Sequence, residues 1–177
     1  TCKTLADPDL AADPAAWAAT AESSLVSGAP GSDPRYDHLL EIVAEMLTFS
    51  DNTTAELLTK EMGLQHSGVG STAAGVQAIT ETLVANGVPT DGLVLVDGSG
   101  LDRGDRVSCA TLDALLDEAG AEGPLAEGLP VAGSTGTLVD RFRRSSAAGK
   151  VKAKTGSLRD VTSLSGWVET GPGADLS

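Results

Sequence analysis

Aromatic side chains are nearly missing from this chain: two Trp, two Phe and one Tyr, or 3% of 177 residues. A core must therefore be built from Ala, Val and Leu, which suits a hydrophobic content of 41% and a length able to bury one globular core. Cations are scarce as well. There are 12 Lys and Arg against 25 Asp and Glu, giving a formal net charge of −13, so nucleic acid and anionic membrane surfaces are disfavoured as partners by repulsion. No run of about 18 apolar residues occurs, and no transmembrane segment is expected. Neither a signal peptide nor an initiator Met is present. The opening Thr1-Cys2-Lys3-Thr4 reads as a processed or truncated start, so the missing signal carries no weight on compartment. Cys2 and Cys109 are the only thiols and lie in no CxxC or His-rich setting, so no metal or other cofactor is expected. They read as two separate unpaired thiols, with a disulfide between them as the alternative.

What is present is mostly helical. Asp13-Pro14 is a good helix entry, leading an Ala-rich helix to about Val26, and Gly28 to Pro34 reads as a loop. Leu39, Leu40, Val43, Met46 and Leu47 recur at helical spacing. Ser50-Asp51-Asn52 then breaks the pattern before a third helix, Thr53 to Met62, closed by Gly63 as its left-handed terminator. Ser71 to Asn86, ended by Gly87, is a further amphipathic helix. Leu93 to Val96 predicts a short buried strand delivering Asp97-Gly98-Ser99-Gly100, whose glycines suit positive φ. Ser108 caps a helix through Leu112, Leu115 and Leu116 to Gly120. A loop with Pro124, Pro130 and Gly133 follows, then a short helix from Gly136 to Arg144. Strands at Val151 to Thr155 and Val161 to Val168 predict an antiparallel hairpin. No internal repeat and no domain boundary is evident. His38, His66, Arg141, Arg143 and Arg144 read as solvated surface residues.

Two polar stretches carry chemistry. A serine acyl enzyme needs an activated hydroxyl, a base, an oxyanion hole and a grip on its substrate. Ser50 and Lys154 suit a proton relay: a hydroxyl between two ammonium-bearing side chains can pass a proton to a leaving amine, and crowded like charges lower a lysine pKa. Asn52 offers an amide able to bind a substrate carbonyl and a lysine together. Lys154-Thr155-Gly156-Ser157 suits an edge strand beside a cleft, Gly156 admitting a substrate backbone and the Thr155 and Ser157 hydroxyls gripping a carboxylate. The Ser157 N–H is a natural oxyanion donor. Each stretch alone is an ordinary turn or strand end; the pair, in this order and on these elements, is what points to catalysis.

Ser-Asp-Asn and Lys-Thr-Gly are the second and third elements of the penicillin-recognising serine enzymes, whose first is Ser-x-x-Lys. Three stretches, MLTFSDNTTAELLTKEMG (Met46 to Gly63), VDGSGLDRGDRVSCATLDALL (Val96 to Leu116) and LPVAGSTGTLVDRFRRSSAAGKVKAKTGSLRDVTSLSG (Leu129 to Gly166), resemble the D-alanyl-D-alanine carboxypeptidase/endopeptidase family of low-molecular-mass penicillin-binding proteins, the DacB type. The resemblance implies a β-lactamase/transpeptidase-like α/β fold, a mostly antiparallel sheet flanked by helices with a helical lobe. It also implies hydrolysis of peptidoglycan stem peptides ending in D-Ala-D-Ala, acylation by β-lactam inhibitors, no metal, and an extracytoplasmic location in periplasm or cell wall. Carried over by motif, Ser50 and Asn52 belong to the second element, and Lys154, Thr155, Gly156 and Ser157 to the third.

No Ser-x-x-Lys occurs anywhere in the 177 residues, and the family has a further strand and helix beyond the region of Trp167. Residues 1–177 are therefore expected to form a partial transpeptidase-like domain, inactive alone. The rival readings are a non-catalytic peptidoglycan-binding relic and a class A β-lactamase-like hydrolase. The latter wants a Glu-x-x-Leu-Asn loop that Glu81-Thr82-Leu83-Val84-Ala85 does not supply.

Overall fold

The structure, a computed structural model, describes residues 34–170. The helix over 14–26, the loop before Pro34 and Cys2, the partner Cys109 would take in the alternative disulfide, lie outside them. Helix α1 spans Pro34–Phe49 and α2 spans Asn52–Ser67, separated only by Ser50 and Asp51. These two residues close one helix and open the next. Ser50 takes a left-handed conformation at φ 57, and Asp51 N–H returns to Met46 O at 3.0 Å, the backbone pattern of a Schellman terminator. Asp51 then caps α2, its Oδ1 accepting from Thr53 N at 2.8 Å and Thr54 N at 3.3 Å.

Helix α2 does not stop at Gly63. It runs one turn further and ends at Gly68, φ 75, whose N–H bonds Leu64 O. Gly63 is buried within the helix, where α3 (Thr72–Ala85) crosses it. A Cβ on Gly63 would lie 2.6 Å from Gly75 N, and one on Gly75 would run into Thr59 O. The glycine expected as a terminator is therefore a packing residue. Ser71 caps α3 as expected, accepting from Ala74 N at 3.2 Å.

Residues 93–96 form no buried strand. A single bridge joins Val94 to Arg106, and Val94 and Val96 are 46% and 43% exposed; among the described residues no further strand extends the pairing. Helix α4 (Cys109–Ala119) is capped by Ser108 as predicted, and Cys109 is exposed. Pro124–Gly128, expected as loop, is a short helix, α5, with Pro at its start. The helix expected from Gly136 to Arg144 shrinks to a 3₁₀ turn, Gly136–Leu138, and further along the same span Phe142 adopts φ 64, which a right-handed helix does not accommodate.

The hairpin is as expected, with its first strand longer. Strands β1 (Val151–Leu158) and β2 (Val161–Val168) pair antiparallel from Val151↔Val168 to Leu158↔Val161 about the turn Arg159-Asp160. The outer edge of β1 is partly covered: Ala132 N–H bonds Val151 O at 2.9 Å and Ala153 N–H bonds Pro130 O at 3.0 Å. Among the described residues the buried apolar set, Ala78, Val88, Ala126, Leu129, Ala132, Leu138 and Ala153, contains no aromatic. It is an Ala, Val and Leu core, as composition required.

Candidate active site

Three elements converge on one spot. The end of α1 is held by close backbone packing: Thr48 Oγ1 donates to Gly128 O at 2.9 Å, and a Cβ on Gly136 would strike Thr48 O. The 3₁₀ turn thus lies directly against the last turn of α1. Its other side meets β1, where Thr155 Oγ1 donates to Thr137 Oγ1 at 2.9 Å. Wedged this way, the turn and the fully buried Leu138 bring the Ser50 turn and β1 together.

Their polar groups meet directly. Lys154 Nζ donates to Ser50 Oγ at 2.7 Å, across 104 residues of sequence, and to Thr155 O at 2.7 Å. Lys154 is half-buried, and that burial pulls its ammonium below the usual lysine range. The cause is desolvation rather than the crowded like charges expected from sequence. A lysine so placed gives up a proton more readily, and the Ser50 hydroxyl, held in the left-handed turn, is in position to relay it.

The remaining expected residues follow closely on Ser50 and Lys154 in sequence. Asn52, the first residue of α2, is exposed, and its amide has no protein partner among the described residues. Bonds from Val151 O and Ala153 N point to the outer edge of β1, so by the alternation of an antiparallel ladder the main-chain groups of Thr155 and Ser157 face that same edge. Thr155 O is taken by Lys154, while the Ser157 side chain is exposed. At Gly156 a Cβ would meet Ser163 Oγ across the hairpin, a hydroxyl that can turn aside, so the sheet face alone does not demand a glycine there. Thr155 differs from expectation, since its hydroxyl is already engaged with Thr137.

Two residues of this neighbourhood carry no sequence signal of their own. Thr137 sits in a Gly-rich run with no motif. Glu56 accepts from Gly98 N and Ser99 N, and only its four-residue spacing from Asn52 marks it. His38 and His66 are exposed and pair with Glu41 and Glu81 at 3.4 and 2.8 Å. Arg141, Arg143 and Arg144 are exposed. No cluster of three or more metal-ligating side chains occurs among the described residues, and no described helix is long and apolar enough to cross a membrane.

Comparison with known proteins gives a consistent picture. Residues 31–177 match the D-Ala-D-Ala carboxypeptidase 3 (S13) family. The chain is 43% identical over 148 residues to the D-alanyl-D-alanine carboxypeptidase of Actinomadura sp. strain R39, covering 78% of this chain and 27% of that protein. It is 35% identical to carboxypeptidase DacB of Mycolicibacterium smegmatis, over 78% of this chain and 32% of the relative. The crystal structure of penicillin-binding protein 4 (DacB) from Haemophilus influenzae superposes with a TM-score of 0.70 at 30% identity, over 76% of this chain and 31% of that one. The transpeptidase-like fold is therefore shared, and the chain spans about a third or less of the length of these relatives.

Proposed function

The chain belongs to the D-Ala-D-Ala carboxypeptidase 3 (S13) family, and we propose that it supplies the second and third polar elements of a serine acyl-transfer site that removes the terminal D-Ala from peptidoglycan stem peptides. The observation that carries this reading is the 2.7 Å bond from Lys154 Nζ to Ser50 Oγ. It joins the two motifs with a proton donor and a relay hydroxyl in contact. The attacking serine comes from a Ser-x-x-Lys element outside these 177 residues, so the chain alone should not turn over.

In the reaction the serine oxygen attacks the carbonyl carbon of the penultimate D-Ala, and the peptide C–N bond breaks. The proton shed by the attacking serine passes to the lysine of its own Ser-x-x-Lys element. The leaving D-Ala amine takes a proton through Ser50 from Lys154, and Lys154 regains one along the same relay. Water then hydrolyses the serine ester, returning the enzyme and a shortened peptide. Ser157 N–H, on the outer edge of β1, donates to the carbonyl oxygen as it becomes negative, a contact whose loss typically costs about 100- to 1,000-fold in rate. Asn52 holds the substrate amide. Thr155, Gly156 and Ser157 present the edge on which the substrate backbone and its terminal carboxylate lie. β-Lactams acylate the same serine because they present an amide in the same place, and the Haemophilus influenzae relative has been crystallised with a β-lactam. Peptidoglycan places the activity outside the cytoplasmic membrane.

The test is D-Ala release from a peptide ending in D-Ala-D-Ala by the full-length gene product. Ser50→Ala is expected to reduce turnover by about 100- to 10,000-fold, the usual worth of a positioned proton-transfer group. A folded wild-type protein releasing no D-Ala overturns the reading.

A further inference from the structure

The Asp97–Leu101 loop, prominent in sequence but given no part in the chemistry above, is held to α2 by one carboxylate. Glu56 stands one turn beyond Asn52, on the same side of the helix. Its Oε1 accepts Gly98 N–H and Ser99 N–H at 3.0 Å each, and its Oε2 accepts from Thr72 Oγ1, at the start of α3, at 3.5 Å. The loop has little freedom to sit elsewhere. A Cβ on Gly98 would overlap Thr59 Oγ1 and lie 2.9 Å from Ala55 O, so loop and helix are in backbone contact. The loop is also rigid within itself: Asp97 accepts Gly100 N at 2.6 Å and Asp102 N at 2.7 Å, and Gly100 adopts φ 75.

The far end of the same segment reaches the other motif. Arg103 pairs with Asp160 at 3.0 Å, in the hairpin turn three residues past Ser157. That pair is two-thirds exposed on both sides and contributes little by itself. The Glu56 bonds are partly buried and charge-assisted, hence the stronger attachment. One loop therefore touches both sides of the site, tied firmly to the helix that begins at Asn52 and more weakly to the turn of the hairpin that carries Lys154 and Ser157.

We infer that Glu56 is a positioning residue: by holding Gly98 and Ser99 it fixes the spacing between Asn52 and the Lys154–Ser157 strand, across which substrate lies. The inference rests on the functional reading above. The Ser50–Lys154 contact passes through the 3₁₀ turn and does not depend on the loop, so loss of Glu56 degrades the grip on substrate more than the proton relay.

Steady-state release of D-Ala by the full-length gene product tests this, with Glu56→Ala and Glu56→Gln compared with wild type. Glu56→Ala should raise KM about tenfold, the order of effect expected when a substrate-gripping group shifts by a fraction of an ångström, while kcat stays within about threefold. Glu56→Gln, whose amide oxygen still accepts both N–H groups, should recover most of the KM. If Glu56→Ala fails to fold, Glu56→Asp, one methylene shorter, should show the same KM rise. An unchanged KM in the alanine or aspartate variant, whatever its melting temperature, overturns the inference, as does a glutamine variant no better than alanine. Inactive but folded wild type overturns the functional reading instead.

Discussion

Ser50 pairs an unfavourable backbone conformation with a hydroxyl that Lys154 requires, and the two contributions separate in a pair of variants. At φ 57 a residue bearing a Cβ is disfavoured by about 1–2 kcal/mol relative to the right-handed region, a cost glycine escapes. Ser50→Ala and Ser50→Gly both remove the acceptor of the 2.7 Å Lys154 bond, a hydrogen bond to a charged group contributing about 1.5–3 kcal/mol. Ser50→Ala keeps the Cβ and should fall below wild type by about that amount. Ser50→Gly loses the same bond but relieves the backbone, and after the greater chain entropy of unfolded glycine is counted it should exceed the alanine variant by about 1 kcal/mol. That is about 2–4 °C in melting temperature for a domain of about 150–250 residues, and less for a longer cooperative unit. Circular-dichroism melts of the full-length variants read it directly, and both variants should be acylated slowly by penicillin. Elsewhere Ala outranks Gly in stability, so the reversal is diagnostic. An alanine variant as stable as the glycine one would refute the left-handed turn and the reason Ser50 is presented to Lys154.

Lys154→Arg keeps the charge but cannot release a proton near neutral pH, so penicillin acylation should fall about 100- to 10,000-fold; an unchanged rate by fluorescent labelling contradicts the relay. Burial lowers the Lys154 pKa when folded, so between that depressed value and the ordinary 10.5 the unfolded chain binds more protons and stability rises with pH. Melts from neutral to about pH 10 should show wild type gaining on Lys154→Met across that window, and parallel curves contradict the buried ammonium. Gly75→Ala drives a methyl into Thr59 O and should destabilise by about 1–3 kcal/mol, with penicillin labelling per folded molecule unchanged; a variant melting with wild type contradicts the close α2–α3 crossing.

The candidate site was more legible in the sequence than the fold around it, for physical reasons visible at particular residues. Ser50-Asp51-Asn52 and Lys154-Thr155-Gly156 are local signals: a residue able to sit left-handed, a capping carboxylate, and a glycine in a strand. Each works through its nearest neighbours, so each survives being read without tertiary context. Gly63 shows the opposite case. A glycine five residues before a second, helix-ending glycine looks like a terminator, and only the approach of α3 reveals that it makes room for Gly75. Leu93 to Val96 has strand composition, but a strand needs a neighbour, and among the described residues only Arg106 provides one. The helix expected from Gly136 to Arg144 stops at Leu138, and the left-handed φ of Phe142 within that span is one no propensity anticipates. Glu56 was invisible because a carboxylate on an amphipathic helix ordinarily faces water, and here two loop N–H groups replace that water.

The central claim is that these 177 residues hold the relay and the substrate edge of a site whose nucleophile lies elsewhere in the protein. Penicillin labelling of the full-length gene product, with the modified residue mapped by mass spectrometry, addresses it most directly. The account predicts a single penicilloyl adduct on the serine of a Ser-x-x-Lys element outside this sequence, and none on residues 1–177 alone. An adduct on Ser50 or any other serine of this chain, or no adduct on a folded full-length protein, would contradict it.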